Sequence, residues 1–322
     1  MVNVCWLQIS DLHFGFDTYT TKAAYDAFIT YLGNVIQARA VKPTLLFLTG
    51  DFIFAPASSY ANRNQAIAAI KEIQRITGIS NDNLFMVPGN HDVNINAGTR
   101  ALYLEDMYKN YRPTDGSISA NHTGKLLEGF KGFNNFRKQV YGKPLPLCKE
   151  IHEVAETPDL NLILMNTAFA YGKNHTDKLI FGIKYFQNAL QKINNNKPII
   201  VLAHHPLKDA IEEDLFINEI AGNRKIKLYL CGHEHRFSIK RFLQDGQMWF
   251  NTPTFMNEDS RTKEPCQIGF TIGQMDTDLG SGLIEAHIYD AAFRFWDLYR
   301  QYGGAGNPDE KDRKNGIYRY SF

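Results

Sequence analysis

An α/β fold is predicted by three features of the chain: short apolar runs of strand length, amphipathic helical stretches between them, and polar clusters placed directly after the runs. Val4 to Ile9 is the first run, and helical spacing follows over Ala23 to Ala40, with Ala24, Phe28, Tyr31, Leu32, Val35 and Ile36 on one face. Thr44 to Leu48 is a second buried strand. Asn64 to Ile76 carries Ile67, Ile70, Ile73 and Ile76 on a helical face, and Gly78 suits its stop. Leu84 to Val87 is a third strand. This alternation implies right-handed crossovers and strands whose C-terminal ends share one edge of a sheet.

A second set of strands follows: Leu160 to Met165, Ile199 to Ala203 and Ile226 to Leu230, with a helix at about Tyr185 to Ile193. From Ser238 the pattern changes to short strands with turns, Gln247 to Asn251, Cys266 to Ile272 and Leu283 to Ile288, which predicts antiparallel pairing. Between the two sets, about 93–147 is rich in Asn, Gly, Tyr and Lys, is helical only over Leu102 to Tyr108 and Leu126 to Phe136, and ends at Pro144 and Pro146. Its thin apolar content predicts an insertion over the strand ends of a single domain spanning 1–322. A closing β-hairpin at about 290–322, with the mixed charges of Asp309 to Lys314 in a solvated loop, completes the reading.

Composition narrows the class. With 322 residues, and 35 Lys and Arg against 34 Asp and Glu, the chain is long enough for a large core and carries a net charge of +1, so no general attraction to nucleic acid or membrane is implied. No run of about 18 apolar residues and no leader-like N-terminus predicts a cytoplasmic protein without a membrane span. Cys5, Cys148, Cys231 and Cys266 are scattered, with no C-x-x-C pair, which predicts buried free thiols rather than disulfides or a thiolate zinc site.

The polar clusters after the strands are Asp11 and His13; Asp51; Asn90, His91 and Asp92; His204 and His205; and His233 and His235 in the stretch LCGHEH. One histidine at a strand end is usually structural, but five such clusters on one edge point to metal. Imidazole, carboxylate and amide donors without sulfur suit Mn, Fe or Zn better than Ca. The number of donors exceeds one coordination shell, and two ions about 4 Å apart suit in-line displacement at phosphorus. Alternation along extended chain would send Asp11 and His13 one way, and His233 and His235 likewise. Glu234 is then a spacer reaching solvent or a supporting partner, Gly232 lets the chain turn, and Cys231 points back into the core.

These blocks, D-x-H at Asp11 and His13, G-D at Gly50 and Asp51, G-N-H-D from Gly89 to Asp92, H-H-P from His204 to Pro206 and G-H-x-H from Gly232 to His235, resemble the calcineurin-like metallophosphoesterases in type and order. The resemblance implies a four-layer α/β/β/α sandwich of two mixed β-sheets flanked by helices, the metallo-dependent phosphatase fold. It implies that Asp11, His13 and His235 hold a first ion, Asn90, His204 and His233 a second, and that Asp51 bridges them. His205 is the alternative to His204 as ligand. It further implies phosphoester hydrolysis by a hydroxide between the ions, with His91 donating the proton to the leaving group and Asp92 orienting the loop or the histidine, or capping a helix. The chain departs from the family's pattern at GDFIFAP: Phe52, Ile53 and Phe54 stand where relatives often carry an acidic partner for His91. The expected substrate is a phosphodiester of a nucleotide or similar small molecule, with a nuclease acting on DNA or RNA as the competing expectation and a phosphomonoesterase or a non-catalytic binding module behind it. Asn166 and Arg100 are candidate lining residues, and Tyr103, Tyr108, Lys109, Tyr111, Arg112, His122 and Lys125 either contact substrate or form the insertion's own core and surface.

Overall fold

A computed structural model describes residues 4–54, 62–142, 150–242, 247–259, 262–299 and 316–321. In chain order the first half holds β1 (Val4–Ile9), α1 (Tyr19–Ala38), β2 (Leu45–Leu48), α2 (Arg63–Thr77), β3 (Leu84–Met86), α3 (Arg100–Asn110), α4 (Ala120–Leu127) and α5 (Lys131–Tyr141). The second half holds β4 (His152–Glu156), β5 (Asn161–Met165), α6 (Ile183–Gln191), β6 (Ile199–Leu202), α7 (Glu213–Gly222), β7 (Ile226–Cys231), β8 (Ser238–Phe242), β9 (Gln247–Asn251), β10 (Gly269–Asp276), β11 (Ser281–Asp290), β12 (Phe295–Leu298) and β13 (Ile317–Ser321).

The strands make two mixed sheets. The first runs β12-β11-β10-β1-β2-β3, with β13 also on β11, and the second runs β4-β5-β6-β7-β9-β8. β1, β2 and β3 are parallel, as are β5, β6, β7 and β9. Strand alternation sorts their side chains into separate cores. Cys5, Leu7 and Ile9 pack under Phe28 and Leu32 of α1 and Ile70 and Ile73 of α2. Trp6 and Phe47 point the other way and meet Leu162, Leu202 and Leu230 of the second sheet. Ile163 and Val201 face Phe186 of α6 and Phe216 of α7. These three cores separate four layers, and a strand buried on both faces is why its sequence reads as a continuous apolar run.

Four expectations change. The insertion is not poor in apolar residues: Leu104, Met107, Leu126, Phe133, Phe136 and Val140 join the core of the first helical layer, where α5 packs on α2. Irregular spacing hid this because α3, α4 and α5 are short. β9 is parallel to β7 and antiparallel to β8, so pairing does not switch wholly to antiparallel after Ser238. β12 and β13 do not pair as one hairpin; they lie end to end along β11, at His287–Asp290 and Ser281–Glu285. The donor clusters come from two facing sheets rather than from one edge of one sheet. Pro144, Pro146, Cys148 and Asp309 to Lys314 fall outside the described residues. Among the described residues no helix is long and apolar enough to cross a membrane.

Candidate metal centre

The parallel strands end at the same side of the sandwich, and the segments beyond them carry the donors. Asp11 and His13 follow β1, Asp51 follows β2, and Asn90, His91 and Asp92 form a short 3-10 turn after β3. His204 and His205 follow β6, and His233 and His235 follow β7. The backbone there is not extended. Asp11 (φ 53°), His13 (φ 45°), Asp51 (φ 55°), His233 (φ 70°) and His235 (φ 55°) all occupy the left-handed region. Strand alternation therefore does not aim these side chains; a strained conformation does, and such strain persists where surrounding contacts over-determine it. Those contacts are visible: Asp11 and His13 donate their backbone N–H to the carbonyls of Gly50 and Asp51 at 3.0 Å each. The N–H of His233 donates to Asp11 Oδ2 at 3.1 Å.

The donors converge. His235 Nε2 lies 3.3 Å from Asp11 Oδ1 and 3.4 Å from His13 Nε2. His204 Nε2 lies 3.3 Å from Asp51 Oδ2 and 3.1 Å from Asn90 Oδ1. His13 Nε2 reaches Asp51 Oδ2 at 3.7 Å, which joins the two groups. One donor atom each from Asp11, His13 and His235 lie within 4.8 Å of one another, as do those of Asp11, Asp51 and His204, and those of His204, His205 and His233. Buried Asp11 Oδ1 and His205 Nε2 have no hydrogen bond. Asp11 Oδ1 meets only ring nitrogens, those of His235 at 3.3 Å and His13 at 3.6 Å, and a divalent ion fits such a group of imidazole and carboxylate atoms.

Electrostatics agree. Burial works against charge throughout, yet Asp51 and Asp11 outweigh it at His204 and push its pKa up to about 9. His235 is likewise held up, to about 10, by Asp11 and Cys266 against its burial. Burial raises Asp51 and Asp11, but the surrounding histidines more than reverse this and hold both carboxyls well below the usual range. Burial lowers His13 to about 4 and His233 to about 3. Without metal, the two carboxylates thus keep two imidazolium ions as stand-ins for cations.

The supporting residues refine the sequence reading. His204 Nδ1 donates to the Thr49 carbonyl at 2.7 Å, which turns Nε2 toward Asp51. His205 instead has its Nδ1 on Thr167 Oγ1 at 2.9 Å. His91 Nδ1 donates to the carbonyl of Phe54, while Nε2 stands 4.0 Å from Asp51 Oδ2. The partner for His91 therefore does come from the GDFIFAP segment, through its backbone. Asp92 is buried and accepts from the N–H groups of Asp51 (2.8 Å), Gly89 (2.9 Å) and Phe52 (3.3 Å), clamping the two loops together. Glu234 accepts from Asn251 and pairs with Lys208, as a spacer should. Cys231 is buried, with Trp249 Nε1 donating to its Sγ at 3.0 Å.

Other positions differ from expectation. Arg100 does not line the centre: it is fully buried, and its guanidinium donates to the carbonyls of Leu126 (3.3 Å) and Phe169 (2.8 Å), tying the insertion to the loop after β5. Asn166 lines a small cavity with Val87, Pro88 and Phe133. Tyr108 and Tyr111 spend their hydroxyls on the Ala170 carbonyl and on Glu212. Gly232 is needed for close approach rather than for a turn, since a Cβ there would overlap Ser10 Oγ and Asp11 Oδ2. Cys266 is half-buried, not buried, and its Sγ lies 3.6 Å from His235 Nδ1. Sequence reasoning missed Cys266, and also Asp209, whose Oδ2 lies 3.9 Å from His233 Nε2. Neither carries a spacing signal, although Asp209 follows the H-H-P block closely.

The model of the calcineurin-like phosphoesterases matches residues 7–237, which contain every donor described. The chain belongs to this family. Its fold is a sandwich of two mixed sheets between helices, and the family is one of phosphoesterases. A relative, the uncharacterized metallophosphoesterase-like protein YydB of Bacillus subtilis (strain 168), is 26% identical over 319 residues, covering 94% of this chain and 63% of that protein. The chain thus spans less than two thirds of that relative's length. Among solved structures, a dimetal phosphatase from Danio rerio is similar at TM-score 0.47 and 9% identity, over 89% of this chain and 96% of that one. Vacuolar protein sorting 29 from Cryptosporidium parvum is similar at TM-score 0.43 and 11% identity, over 100% of both chains. Likeness at that level carries no argument about activity.

Proposed function

We propose that the chain hydrolyses a phosphodiester of a nucleotide or similar small molecule. The observation that carries the reading is the convergence of Asp11, His13, Asp51, Asn90, His204, His233 and His235 beside a half-exposed His91. In this reading Asp11, His13 and His235 hold one ion, Asn90, His204 and His233 another, and Asp51 stands between them; Mn, Fe and Zn suit such donors. Two divalent ions there would supply the Lewis acidity that phosphoester cleavage requires at neutral pH.

The chain's own residues do the rest. His91 keeps Nδ1 on the Phe54 carbonyl, which turns Nε2 toward the centre as the atom that would pass a proton to the leaving oxygen. Asp51 Oδ1 accepts from the backbone N–H of His91 at 2.8 Å, so the carboxylate at the centre also fixes where that ring stands. Asp92 holds the loops that carry Asp51 and His91 in register.

A small ester is favoured over a polymer by the walls of the site. The cavity of about 520 Å³ that opens on His233 and His235 is lined by Asp209, Glu234, Asp259 and Glu264 against Lys208 and Arg236. Neighbouring phosphates of a nucleic acid would meet that excess of carboxylates, whereas polymer binding draws its affinity from phosphate contacts with cations. Free Cys5, Cys231 and Cys266 suit a reducing cytoplasm.

The test is an activity panel on Mn-loaded protein with a bis-aryl phosphodiester, an aryl phosphomonoester, cyclic nucleotides, and single- and double-stranded DNA. Turnover is expected on the small diesters, and His91→Ala should lower kcat by roughly 10²- to 10⁴-fold with ion content unchanged. No turnover of any ester, with His91→Ala and wild type alike, ends the enzymatic reading; turnover that His91→Ala leaves unchanged ends the role given to His91; preference for DNA ends the small-substrate reading.

A further inference from the structure

His205, which the sequence offered only in place of His204, has no part in the proposed ligand set. We propose that His205 is an eighth metal ligand, joining Asn90, His204 and His233 at the second position. The inference rests on the metal-binding half of the proposed function and not on any particular substrate.

His205 is 0% exposed. Its backbone is fixed on both sides: its N–H donates to Thr167 Oγ1 at 3.1 Å and its carbonyl accepts from Tyr229 Oη at 2.8 Å. Its ring centroid lies 4.4 Å from that of His233 and 4.7 Å from that of His204. Ring nitrogens of the three lie within 4.8 Å of one another, near the ~4.2 Å that separates opposite ligands held at about 2.1 Å from one ion. Nδ1 is taken by Thr167 Oγ1, and Nε2, also buried, has no hydrogen-bond partner. A buried polar atom left this way is costly and calls for an explanation.

The anchoring follows the pattern of the neighbouring rings. His204 and His91 each place Nδ1 on an oxygen, the carbonyls of Thr49 and Phe54, and so present Nε2 to the centre. Placing Nδ1 on Thr167 Oγ1 does the same for His205, which is how proteins orient a ligating imidazole. Exposure separates the two roles that follow. The His91 side chain is 27% exposed, so a phosphoryl group reaches it. His205 is closed to anything larger than an ion or one water. An ion is the occupant that three imidazole nitrogens select, and a third imidazole shifts the second position toward Zn or Fe relative to Mn.

The experiment measures ion binding, not turnover. Wild type, His205→Ala and His205→Gln are stripped, then titrated with Zn(II) and with Mn(II) against a competing chelator, with ion content checked by elemental analysis. The expected result is one ion class retained at wild-type affinity, which also shows that the variants are folded, and the other weakened at least ~10-fold. Thr167→Val, which removes the anchor and keeps the ring, should weaken the same class less. Two ion classes at wild-type affinity in both His205 variants would overturn the proposal, whatever their activity. In that case a fall in activity alone would make His205 Nε2–H a donor to a bound water. If wild type binds both ions as expected but cleaves no phosphoester, the functional proposal fails and this one stands.

Discussion

The loops after β1, β2 and β3 bring the carboxylates Asp11 and Asp51, the amide of Asn90 and the imidazoles His13 and His91 to the centre; those after β6 and β7 bring the imidazoles His204, His205, His233 and His235, with the carboxylate of Asp209 outside them, 3.9 Å from His233. Negative charge therefore belongs to the first sheet, and the imidazolium ions that answer it in the metal-free protein, His204 and His235, belong to the second. Neither half is complete. A buried carboxylate without its partner costs several kcal/mol, so each loop owes its conformation to the facing sheet. Hydrogen bonds across the interface keep the two halves in register: Gln8 Nε2 donates to the Cys231 carbonyl at 3.2 Å, His204 Nδ1 to the Thr49 carbonyl at 2.7 Å, and His233 N–H to Asp11 Oδ2 at 3.1 Å. The difference teaches that the centre is a property of sheet docking, and it can be broken from either side.

The largest effect should come from the carboxylate that faces both halves. Asp51→Asn removes the group that His13, His204 and His91 all approach. Activity should fall on the order of 10³-fold, with ion content reduced in the same preparations. Activity above a tenth of wild type would show that Asp51 does not join the ions.

Next comes the spacing between sheets. Gly232→Ala puts a methyl group into Ser10 Oγ and Asp11 Oδ2, and overpacking of this kind costs about 1–3 kcal/mol. Denaturant unfolding of the metal-free protein reads it. An unchanged midpoint would mean that the loops yield freely.

A comparable loss confined to the first sheet is expected for Asp92→Asn, which leaves the N–H groups of Asp51, Gly89 and Phe52 with a weaker acceptor. The estimate is about 1–3 kcal/mol by the same unfolding measurement. If stability held while kcat collapsed, Asp92 would act on the reacting atoms rather than on the loops.

The smallest signal tests the division of charge itself. With His204 pushed up to about 9 and His235 to about 10, both are protonated in the metal-free protein at pH 7.5. Loading the centre there should release about two protons per chain, read by calorimetry in buffers of different ionisation heat. The release should shrink as pH rises through 9 to 10. The sign for stability is the same: groups raised in the folded state stabilise the metal-free protein fully below about 6.5, and that stabilisation is lost as pH passes their folded values. No proton release at pH 7.5 would remove the imidazolium stand-ins.

Much of this was legible in the chain. Apolar runs such as Val4 to Ile9 and Ile226 to Leu230 marked strands buried on both faces, because such burial leaves no polar alternation to confuse the signal. The blocks from Asp11 to His235 marked side chains that the fold brings together, because metal chemistry restricts residue type and short spacing alike. Less legible were the short helices α3, α4 and α5, whose apolar faces span too few turns to show a period, and the end-to-end strands β12 and β13, which share a partner rather than pairing with each other.

By itself, then, the sequence determined which side chains can bind metal and which segments must be buried, since both are local properties of residue type and spacing. Tertiary structure decided how those side chains are aimed. Left-handed backbone at Asp11, His13, Asp51, His233 and His235 is unfavourable locally and held by contacts across the two sheets. The carbonyls of Thr49 and Phe54, the hydroxyl of Thr167 and the thiol of Cys266 reach their histidines from positions up to 155 residues away in the chain. No periodicity records such pairings, because they exist only once the two sheets have closed on one another.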